Sequence, residues 1–475
     1  MRQRPDTIHA VALDDTAVAR LARELRGELI RSGDAGYEGA RRVWNGMIDR
    51  RPALIARCAA PDDVIAAVAF ARKNGLLVAV RGGGHNVAGN ATCDGGLVID
   101  LAPMRDVSVD AERRTARAEG GARWGDLDAA AATHGLATTG GAVSTTGIAG
   151  LTLGGGVGWL ARKHGLTCDN LRAVEIVTAD GRLLTANERE HADLFWAVRG
   201  GGGNFGVVTS FEYELHPLTT VLGGMVLHPI ERAGEALRFF RTFAANAPEE
   251  LSTLFYFFVA APVTFLPPEL HNRPLAGLAA CYAGDPAEGE EVVRPLRQFG
   301  PPLVDEIRPM PYTEMQRLID AGSPPGLRNY WKAGFLKGLD DEAIAAIAAH
   351  LARAGTPGPF LEVFQFNGAV NRIAPDATAF AHRAAQFDLT IGAKWTDPAA
   401  DARQIGWVRD CYTALEPFTT GGVYVNYLGN EGEERVRAAY GANYDRLAAV
   451  KATYDPSNLF RLNQNITPAL RRDHS

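Results

Sequence analysis

The chain has 475 residues, of which 46% are hydrophobic and 22% charged, and its formal net charge is −6. This composition is typical of a globular protein with room for two or three domains, and it excludes a largely disordered chain. Lysines and arginines are scattered, so we expect a small-molecule substrate and neither nucleic acid nor a membrane surface as partner.

The cysteines and the N-terminal sequence indicate the cellular compartment of the protein. The five cysteines are far apart and form no pair at metal-ligand spacing, so neither a metal site nor a disulfide framework is expected. The N-terminal residues lack an apolar run of signal-peptide length, and no run of about 18 apolar residues occurs. We therefore expect a cytoplasmic protein.

The N-terminal half of the chain alternates helical and strand patterns. Residues 61–74 combine apolar residues at helical spacing, an acidic first turn and a glycine stop, which predicts a helix. The following patterns predict, in order, a buried strand at 76–82, a strand at 96–101, a hairpin at 106–121, a helix at 124–135 and a strand pair at 170–186. This order indicates an α+β region rather than a regular β-α-β array.

Three glycine-rich blocks interrupt these elements. The first, "RGGGHN", runs into His85, the second spans residues 138–165 and the third spans residues 196–215. Glycines let successive backbone N–H groups approach a ligand without interference from Cβ atoms. One block alone could be a set of tight turns, but three blocks in one region favour backbone wrapped around a long ligand.

Common nucleotide and hydrolase motifs are absent from these blocks. Gly201, Gly203 and Gly206 have the spacing G-x-G-x-x-G, yet the residues that follow have a strand pattern where a Rossmann fold requires a helix. The sequence also contains no P-loop lysine motif and no G-x-S-x-G elbow.

Beyond Pro217 the glycine density falls and a second α+β pattern begins. It predicts helices at 234–248 and 341–355 and strands at 251–261, 359–370 and 387–395. The last segment predicts a strand around "YVNY", an acidic loop, a long helix and a polar terminal strand. We therefore expect domains at 1–215 and 216–420, with residues 421–475 returning to the first domain.

The blocks carry a family resemblance. "VRGGGHNVAGN", "GLTLGGGVGWLARKHGL", "LFWAVRGGGGNFGVV", "YVNYLGN" and "YDPSNLFRLNQNI" resemble, in this order, the FAD-linked oxidases of the vanillyl-alcohol-oxidase superfamily. The resemblance is greatest to the berberine-bridge-enzyme-like group and to its bacterial 6-hydroxynicotine-oxidase-like members. It implies an α+β fold with a PCMH-type FAD-binding domain of two subdomains and a substrate domain whose antiparallel sheet is covered by helices.

The resemblance also implies how the cofactor is held. His85 occupies the position that is bonded to the methyl group of the flavin ring, and Val143 stands where many relatives have a second, cysteinyl link, so we expect one link only. Cys168 is interpreted as a packed residue. The implied cofactor-binding residues are Arg81, Gly82, Gly83, Gly84, His85, Asn86, Gly89, Ser144, Thr145, Thr146, Gly147, Gly150, Gly154, Gly155, Gly156, Gly206, Val207, Val208, Tyr424, Asn463 and Asn465.

Four residues are the candidates for catalysis: Tyr424, Asn426, Lys394 and Thr390. The resemblance implies that Tyr424 accepts the substrate proton, and alternation along a strand would turn Tyr424 and Asn426 to the same side. A tyrosine needs a nearby cation to act as a base at neutral pH, and Lys394 is the candidate. Thr390 stands where berberine-bridge members carry a carboxylate or amide.

The resemblance implies the activity of an oxidase. A hydride would leave a C–H bond beside oxygen or nitrogen of a small molecule, and because Thr146 is small, oxygen is the favoured acceptor, giving hydrogen peroxide. The alternatives are a dehydrogenase or an oxidative-cyclising enzyme, and, more remotely, a nucleotide- or carbohydrate-binding protein without redox chemistry. A role in secondary metabolism is expected from the resemblance, and a homodimer is left open.

Overall fold

The computed structural model describes residues 13–260, 266–354 and 358–470. Within them the strands are, in chain order, β1 (Glu28–Arg31), β2 (Leu54–Arg57), β3 (Val78–Arg81), β4 (Leu97–Asp100), β5 (Val107–Asp110), β6 (Thr115–Glu119), β7 (Leu136–Ala137), β8 (Leu171–Val177), β9 (Leu183–Asn187), β10 (Val207–Glu214), β11 (His216–Pro217), β12 (Thr220–Pro229), β13 (Leu251–Val259), β14 (Pro274–Tyr282), β15 (Val304–Asp305), β16 (Arg308–Pro311), β17 (Arg328–Leu336), β18 (Pro359–Gln365) and β19 (Phe387–Trp395).

The helices complete the secondary structure of the described residues. The α-helices are α1 (Asp15–Glu24), α2 (Tyr37–Ala40), α3 (Pro61–Lys73), α4 (Trp124–Ala132), α5 (Ile148–Leu153), α6 (Ala161–His164), α7 (Ala192–Val198), α8 (Ala233–Ala245), α9 (Pro286–Gln298), α10 (Tyr312–Met315), α11 (Asp341–Leu351), α12 (Ala369–Arg372), α13 (Asp401–Leu415), α14 (Glu433–Tyr440) and α15 (Tyr444–Tyr454). In this part of the chain no helix is both long and apolar enough to cross a lipid bilayer.

A small mixed sheet carries the first glycine loop. Its strand order is β1-β2-β4-β3, and β4 runs parallel to both of its neighbours. Helix α3 packs against this sheet. It begins with a proline and two acidic residues and ends with two basic residues, and charges of these signs at the two ends stabilise a helix through its dipole. The glycine loop leaves this sheet at the carboxyl end of β3.

A second, antiparallel sheet supports the other glycine blocks. Its order is β5-β6-β10-β8-β9, so the predicted hairpin and strand pair are confirmed at its two edges. Helices α14 and α15 bury Tyr440 and Leu447 in the same hydrophobic core as Phe211 of β10. The C-terminal segment therefore packs against the sheet that lies beside the glycine blocks.

The third sheet is large and antiparallel. Its order is β15-β12-β14-β13-β18-β19-β17, and β16 pairs with β12. On β18 and β19 the odd-numbered residues, such as Leu361 and Leu389, are buried against α8, α11 and α13. The even-numbered residues of the same strands face the opposite side, toward the glycine blocks.

The predicted α+β fold is confirmed, but two predicted strands are wrong. After pairing with the end of β17 through Thr420 and Gly422, the chain leaves the sheet and forms a 3₁₀ turn at Val425–Tyr427. Among the described residues, the polar terminal segment pairs with no strand either. Its backbone bonds to side chains instead, since the Asp455 carboxylate accepts from two amides there and Lys451 donates to the Phe460 carbonyl.

Candidate functional site

A large cavity lies between the glycine blocks and the third sheet. Its empty volume is about 2190 Å³, including the part that opens to solvent. One wall consists of the three glycine blocks, and the opposite wall consists of β17, β18 and β19 together with the 3₁₀ turn at Val425–Tyr427. We call these the loop wall and the sheet wall.

The first glycine loop brings backbone to the cavity surface. Gly82, Gly83 and Gly84 all line the cavity, and the amides of Gly83 and Gly84 donate to no acceptor among the described residues. A Cβ atom on Gly83 would lie 2.3 Å from the backbone nitrogen of Gly147, so this loop and the second block are in direct backbone contact. The loop therefore offers unpaired N–H donors along its exposed edge.

Arg81 and Gly89, both predicted to bind the cofactor, lie outside the cavity lining. The Arg81 guanidinium bonds to both oxygens of the buried Asp100, at 3.1 and 2.8 Å, across the parallel pair β3 and β4. Gly89 has a φ of 77°, and a Cβ atom there would lie 2.7 Å from the Ile48 side chain. Both residues thus shape the loop rather than face the cavity.

His85 closes this loop with its ring at the cavity surface. Its Nε2 atom lies 3.0 Å from the Thr145 hydroxyl, and its ring stacks on Trp44 with 5.0 Å between the centroids. Burial and the charge of Arg123 lower the pKa of His85 to about 4, against the smaller raising effect of the Thr145 contact. The imidazole is therefore neutral at physiological pH, with Nε2 engaged by Thr145.

The second glycine block contributes both to the surface and to the support of the loop wall. Thr146, Gly147, Gly150 and Val143 line the cavity. Ser144 does not; its amide and hydroxyl bond to the Asp320 carboxylate at 2.9 and 2.5 Å. The second block is thereby attached to the segment that precedes β17.

Gly154, Gly155 and Gly156 lie behind this surface. A Cβ atom on Gly154 would lie 2.1 Å from the Asn426 side chain, and one on Gly155 would lie 2.8 Å from Phe380. The Gly156 amide donates to the Tyr424 hydroxyl at 2.9 Å. These glycines let the turn at Val425–Tyr427 pack closely, which is a different role from the predicted cofactor contact.

The third block and the C-terminal segment complete the loop wall. Gly206, Val208 and Asn463 line the cavity as predicted, and Asn86 does so from the first loop. Val207 is buried in the core of the first sheet instead, because alternation along β10 turns it away. Asn465 also lies outside the lining.

No cysteine of the described residues lines the cavity, although all five are free and buried. Cys168 is fully buried, and burial raises the pKa of its thiol far above the ordinary value. Its position behind the wall agrees with the interpretation of a packed residue.

The side chains of Tyr424 and Asn426 contact each other at the sheet wall, although neither residue lies in a strand. The Asn426 amide donates to the Tyr424 hydroxyl at 2.7 Å and to the Leu151 carbonyl at 3.0 Å. Tyr424 is 1% exposed, and burial raises its pKa despite the two hydrogen bonds that its oxygen accepts. The tyrosine is therefore a neutral hydrogen-bonding group at physiological pH.

Lys394 does not supply the expected cation beside Tyr424. Its ammonium donates to the Gly322 carbonyl at 2.7 Å and to the Ser323 hydroxyl at 3.3 Å, and it lies over the Phe360 ring. The charge that acts on the Tyr424 hydroxyl is that of Asp388, which raises the pKa of the tyrosine. The expectation that Lys394 lowers the pKa of Tyr424 is wrong.

Two carboxyl groups beside Thr390 were missed by the sequence reasoning. Glu362 pairs in register with Thr390, and Asp388 lies two residues earlier on the same face of β19. Burial, with a smaller contribution from the Glu362 charge, raises the pKa of Asp388 to about 8. Burial also raises the pKa of Glu362, and the Lys394 charge opposes that effect.

Asp388 stands out among the side chains of the sheet wall. It is 3% exposed, and its Oδ1 atom has no hydrogen-bond partner within the described structure. The sequence contains a signal for Asp388. Asp388, Thr390 and Lys394 all have even numbers in an otherwise apolar strand, so their side chains are expected on the same face. The result is a titratable carboxyl group at the cavity surface, close to the Tyr424 hydroxyl.

Aromatic rings cover the rest of the sheet wall. Trp331 makes edge contacts with Trp44, Phe360 and Tyr427, with centroid distances of 5.8, 6.2 and 5.7 Å. Trp44 precedes the region where the family motifs begin, and no local pattern distinguishes it from a core residue. Only the tertiary structure shows that it stacks on His85.

Two family models match the chain: "FAD binding domain" over residues 52–187 and "Berberine and berberine like" over residues 423–467. These ranges contain the first two glycine blocks and the segment from the 3₁₀ turn to the terminal loop.

Relatives match over nearly the whole chain. The (R)-6-hydroxynicotine oxidase of Paenarthrobacter nicotinovorans is 34% identical over 464 residues, covering 94% of this chain and 97% of its own. The uncharacterized FAD-linked oxidoreductase YgaK of Bacillus subtilis (strain 168) is 32% identical over 458 residues, covering 94% and 98%.

Solved structures show the same architecture. That of 6-hydroxy-D-nicotine oxidase from Arthrobacter nicotinovorans superposes with a TM-score of 0.84 at 31% identity and covers 94% of this chain and 98% of the other. BBE-like 1 of Physcomitrella patens, at 24% identity, has the same fold with a TM-score of 0.86, covering 96% and 100%.

Proposed function

Because the chain belongs to the FAD-linked oxidoreductases of the berberine-bridge-enzyme-like family, we propose that it is an oxidase whose FAD is bonded covalently to His85. It takes a hydride from a C–H bond beside oxygen or nitrogen of a small organic substrate. Molecular oxygen receives the electrons and becomes hydrogen peroxide. The single observation that carries this proposal is the neutral His85 ring at the cavity surface.

The residues of the loop wall fit FAD. The unpaired amides of Gly83 and Gly84 are donors of the kind that bind phosphate oxygens. Asn463, also on this wall, has a buried side-chain oxygen with no hydrogen-bond partner in the described structure, which supports a polar ligand there. When bound, FAD supplies the acceptor for the substrate hydride and passes the electrons on.

The surroundings of His85 support its role as the attachment point. Thr145 engages Nε2, whereas Nδ1 has no hydrogen-bond partner among the described residues, so we assign the bond to Nδ1. The lowered pKa keeps the imidazole neutral, so one ring nitrogen retains its lone pair at neutral pH. Stacking on Trp44 fixes the ring plane. Val143 occupies the position of the second link in relatives and carries no nucleophile, so we propose a single attachment.

At the sheet wall, we assign the proton transfer to Asp388 rather than Tyr424. A group with a pKa of about 8 exchanges protons readily near neutral pH, whereas the raised pKa of Tyr424 leaves it protonated. The Oδ1 atom of Asp388 is free to accept a proton from a substrate hydroxyl or amine. Tyr424, held by Asn426, acts as a hydrogen-bond donor that orients the substrate, and Thr390 lies beside it in the lining.

Oxygen as the electron acceptor is supported by the small side chain of Thr146 at the cavity surface. The same cavity would suit a dehydrogenase, so the acceptor is settled by measuring reoxidation. We propose that the reduced protein reoxidises in air within seconds and forms one peroxide per substrate. Reoxidation over minutes would exclude the oxidase and leave the dehydrogenase.

The packing supports the division into segments 1–215, 216–420 and 421–475. The third sheet has its own core with α8, α9, α11 and α13. Residues of the third segment share a core with the second sheet instead. We propose that the second segment binds the substrate and that the other two hold FAD.

Replacing His85 with alanine tests the central claim. Wild-type protein precipitated with acid should remain yellow, and the mass of its intact chain should exceed the calculated mass by one FAD. His85→Ala should lose that increment, whereas His134→Ala, at an exposed histidine on another surface, should keep it. An acid-precipitated wild-type protein without flavin would refute the covalent link.

A further inference from the structure

A second cavity adjoins the first at the third sheet. Its empty volume is about 2220 Å³, including the part that opens to solvent, and the two cavities share Ile319, Phe360 and Lys394 in their linings. We call the first the inner chamber and the second the outer chamber. The shared residues form the boundary between them, so a molecule that occupied both would pass beside the Lys394 ammonium.

The outer chamber has a predominantly apolar interior. Leu227, Tyr256, Phe258, Met310 and Leu318 line it, and Tyr256 and Phe258 stack with 4.9 Å between their rings. Its charged residues include Arg308 and Glu314, which form an ion pair with each other. The other charged residues of this lining besides Lys394, Glu306 and Arg317, are exposed, so the buried part of the chamber is apolar.

Lys394 lies at the boundary with spare bonding capacity. The Gly322 carbonyl and the Ser323 hydroxyl engage two of its three N–H donors, and both acceptors are uncharged. No carboxylate of the described residues lies within ion-pair distance of it. The charge of Glu362 acts on it from the neighbouring strand, but the ammonium makes no direct salt bridge there.

We propose that the substrate is an elongated molecule with an anionic or strongly accepting group. Its reacting carbon lies in the inner chamber, its anionic group binds Lys394 and its apolar remainder fills the outer chamber. This inference rests on the proposed function for the reacting end, whereas the binding of the other two parts stands on the geometry of the boundary. Amphipathic carboxylates and phenolates are the chemical class that fits this arrangement.

Straight-chain carboxylates test this arrangement without turnover. Isothermal titration of the holoprotein with butyrate, hexanoate and octanoate should show an affinity that rises about 4-fold for each added methylene, because each buried methylene contributes a constant increment. Octan-1-ol, which lacks the charge, should bind at least 10-fold more weakly than octanoate.

Variants assign the two contributions to their residues. Lys394→Met should weaken octanoate about 10-fold and remove its advantage over octan-1-ol, whereas Lys337→Met, at an exposed lysine remote from both chambers, should change neither. Phe258→Gln and, independently, Leu318→Gln should flatten the dependence on chain length. Leu303→Gln alters an exposed leucine and serves as their control.

The outcomes separate this inference from the proposed function. The proposal that the substrate occupies both chambers is overturned by any of three results. These are no binding of octanoate, an affinity that does not depend on the chain length of the carboxylate, or an affinity for octanoate that Lys394→Met does not change. A protein that binds octanoate as expected but carries no acid-stable flavin contradicts the covalent link instead and leaves the chambers supported. Circular dichroism of each variant confirms that a lost affinity is not a lost fold.

Discussion

On the loop wall the cavity is bounded mainly by backbone, whereas on the sheet wall it is bounded by side chains. Gly83 and Gly147 touch through their backbones, and any side chain there would enter the other loop. Asp388 and Thr390, in contrast, reach the cavity because the pleat of β19 turns alternate side chains toward it. The loop wall thus depends on the absence of side chains, and the sheet wall depends on their identity.

This difference predicts different consequences of substitution. Changes to the loop wall should act on cofactor content and folding together, since they disturb backbone contacts. Changes to the strands of the sheet wall should spare both and act on the reaction, since a strand tolerates another side chain of similar size. Four substitutions, from the largest expected effect to the smallest, test the distinction.

Gly83→Ala should give the largest effect. Its Cβ atom would lie 2.3 Å from the Gly147 nitrogen and 2.6 Å from its Cα, and neither backbone atom can move without displacing the second block. We expect soluble protein with little or no flavin and a lowered Tm, measured by absorbance near 450 nm and by thermal melting.

Gly150→Ala is the matched comparison for that substitution. Gly150 also lines the cavity, but a Cβ atom built there would have no atom of the described residues within 4 Å apart from its chain neighbours and the backbone of its own helix. The flavin-free form of Gly150→Ala should therefore melt like flavin-free wild type, and any loss of flavin would arise from contact with the cofactor itself. Equal flavin content and Tm in Gly83→Ala and wild type would contradict the role of the backbone contact.

Asp388→Asn should remove the reaction while sparing the cofactor. Loss of a general base lowers rates by about 10²- to 10⁴-fold. In the wild type, kcat/KM should rise with pH through the Asp388 pKa of about 8, because the carboxylate is the active form. The variant should bind normal amounts of flavin and lack this rise.

The control for that experiment is Asp410→Asn, an exposed aspartate on α13. It should retain the wild-type rate and pH profile. Stopped-flow reduction by any substrate that bleaches the wild-type flavin provides the measurement. An Asp388→Asn variant that keeps both the wild-type rate and the rise of kcat/KM with pH would show that another group is the base.

The two walls also differ in how far the sequence reveals them. Glycines required by backbone contact leave a dense signal, which is why the second block and His85 could be recognised. The only sequence signal for Asp388 is its place among the polar residues that alternate with apolar ones along a strand. Trp44 has no local sequence signal at all. The strand predicted around Tyr424 was wrong because its pattern is apolar and alternating, while its backbone hydrogen bonds, from Tyr427 to Tyr424 and from Leu428 to Val425, close a 3₁₀ turn rather than pair with a neighbouring strand.

Tyr424→Phe should have an intermediate effect. Removing the hydroxyl leaves the Gly156 amide without its acceptor and deprives Asn426 of one of two, which costs about 1–3 kcal/mol for a buried group. We expect a lower Tm and a reduction rate about 10-fold slower. The rise of kcat/KM with pH should persist, since Asp388 is intact.

The pH profile distinguishes the two possible roles of this tyrosine. A Tyr424→Phe variant that loses the rise with pH would show that the tyrosine, not Asp388, is the titrating base. Tyr330→Phe removes a hydroxyl that bonds to Arg409 on the outer surface of the third sheet and should leave rate and profile unchanged.

Asp128→Asn addresses the contact of Gln316 with α4 beside the loop wall, which we call the seam, and should have the smallest effect. Asp128, on α4, is 6% exposed, and Gln316 donates both to its carboxylate at 3.2 Å and to the Gly141 carbonyl of the loop wall at 3.3 Å. Burial raises the pKa of Asp128 to about 7, and the Asp320 charge adds to this. The hydrogen bond from Gln316 opposes the shift but does not cancel it.

The sign of the pH dependence follows from that raised pKa. Between about pH 4 and 7 the folded chain keeps a proton on Asp128 that the unfolded chain has released, so this group stabilises the fold less and less as the pH rises, and the loss is complete above about pH 7. Asparagine carries no such charge. The Tm of Asp128→Asn minus that of wild type should therefore increase from pH 5 to pH 8, by an amount equivalent to at most about 3 kcal/mol. Taking the difference cancels the contributions of Asp388 and Glu362, which both proteins share, and Asp445→Asn at an exposed position should show no trend.

A difference that stays constant or falls with pH would mean that Asp128 is ionised in the folded protein, and that Gln316 holds the seam through a charged hydrogen bond.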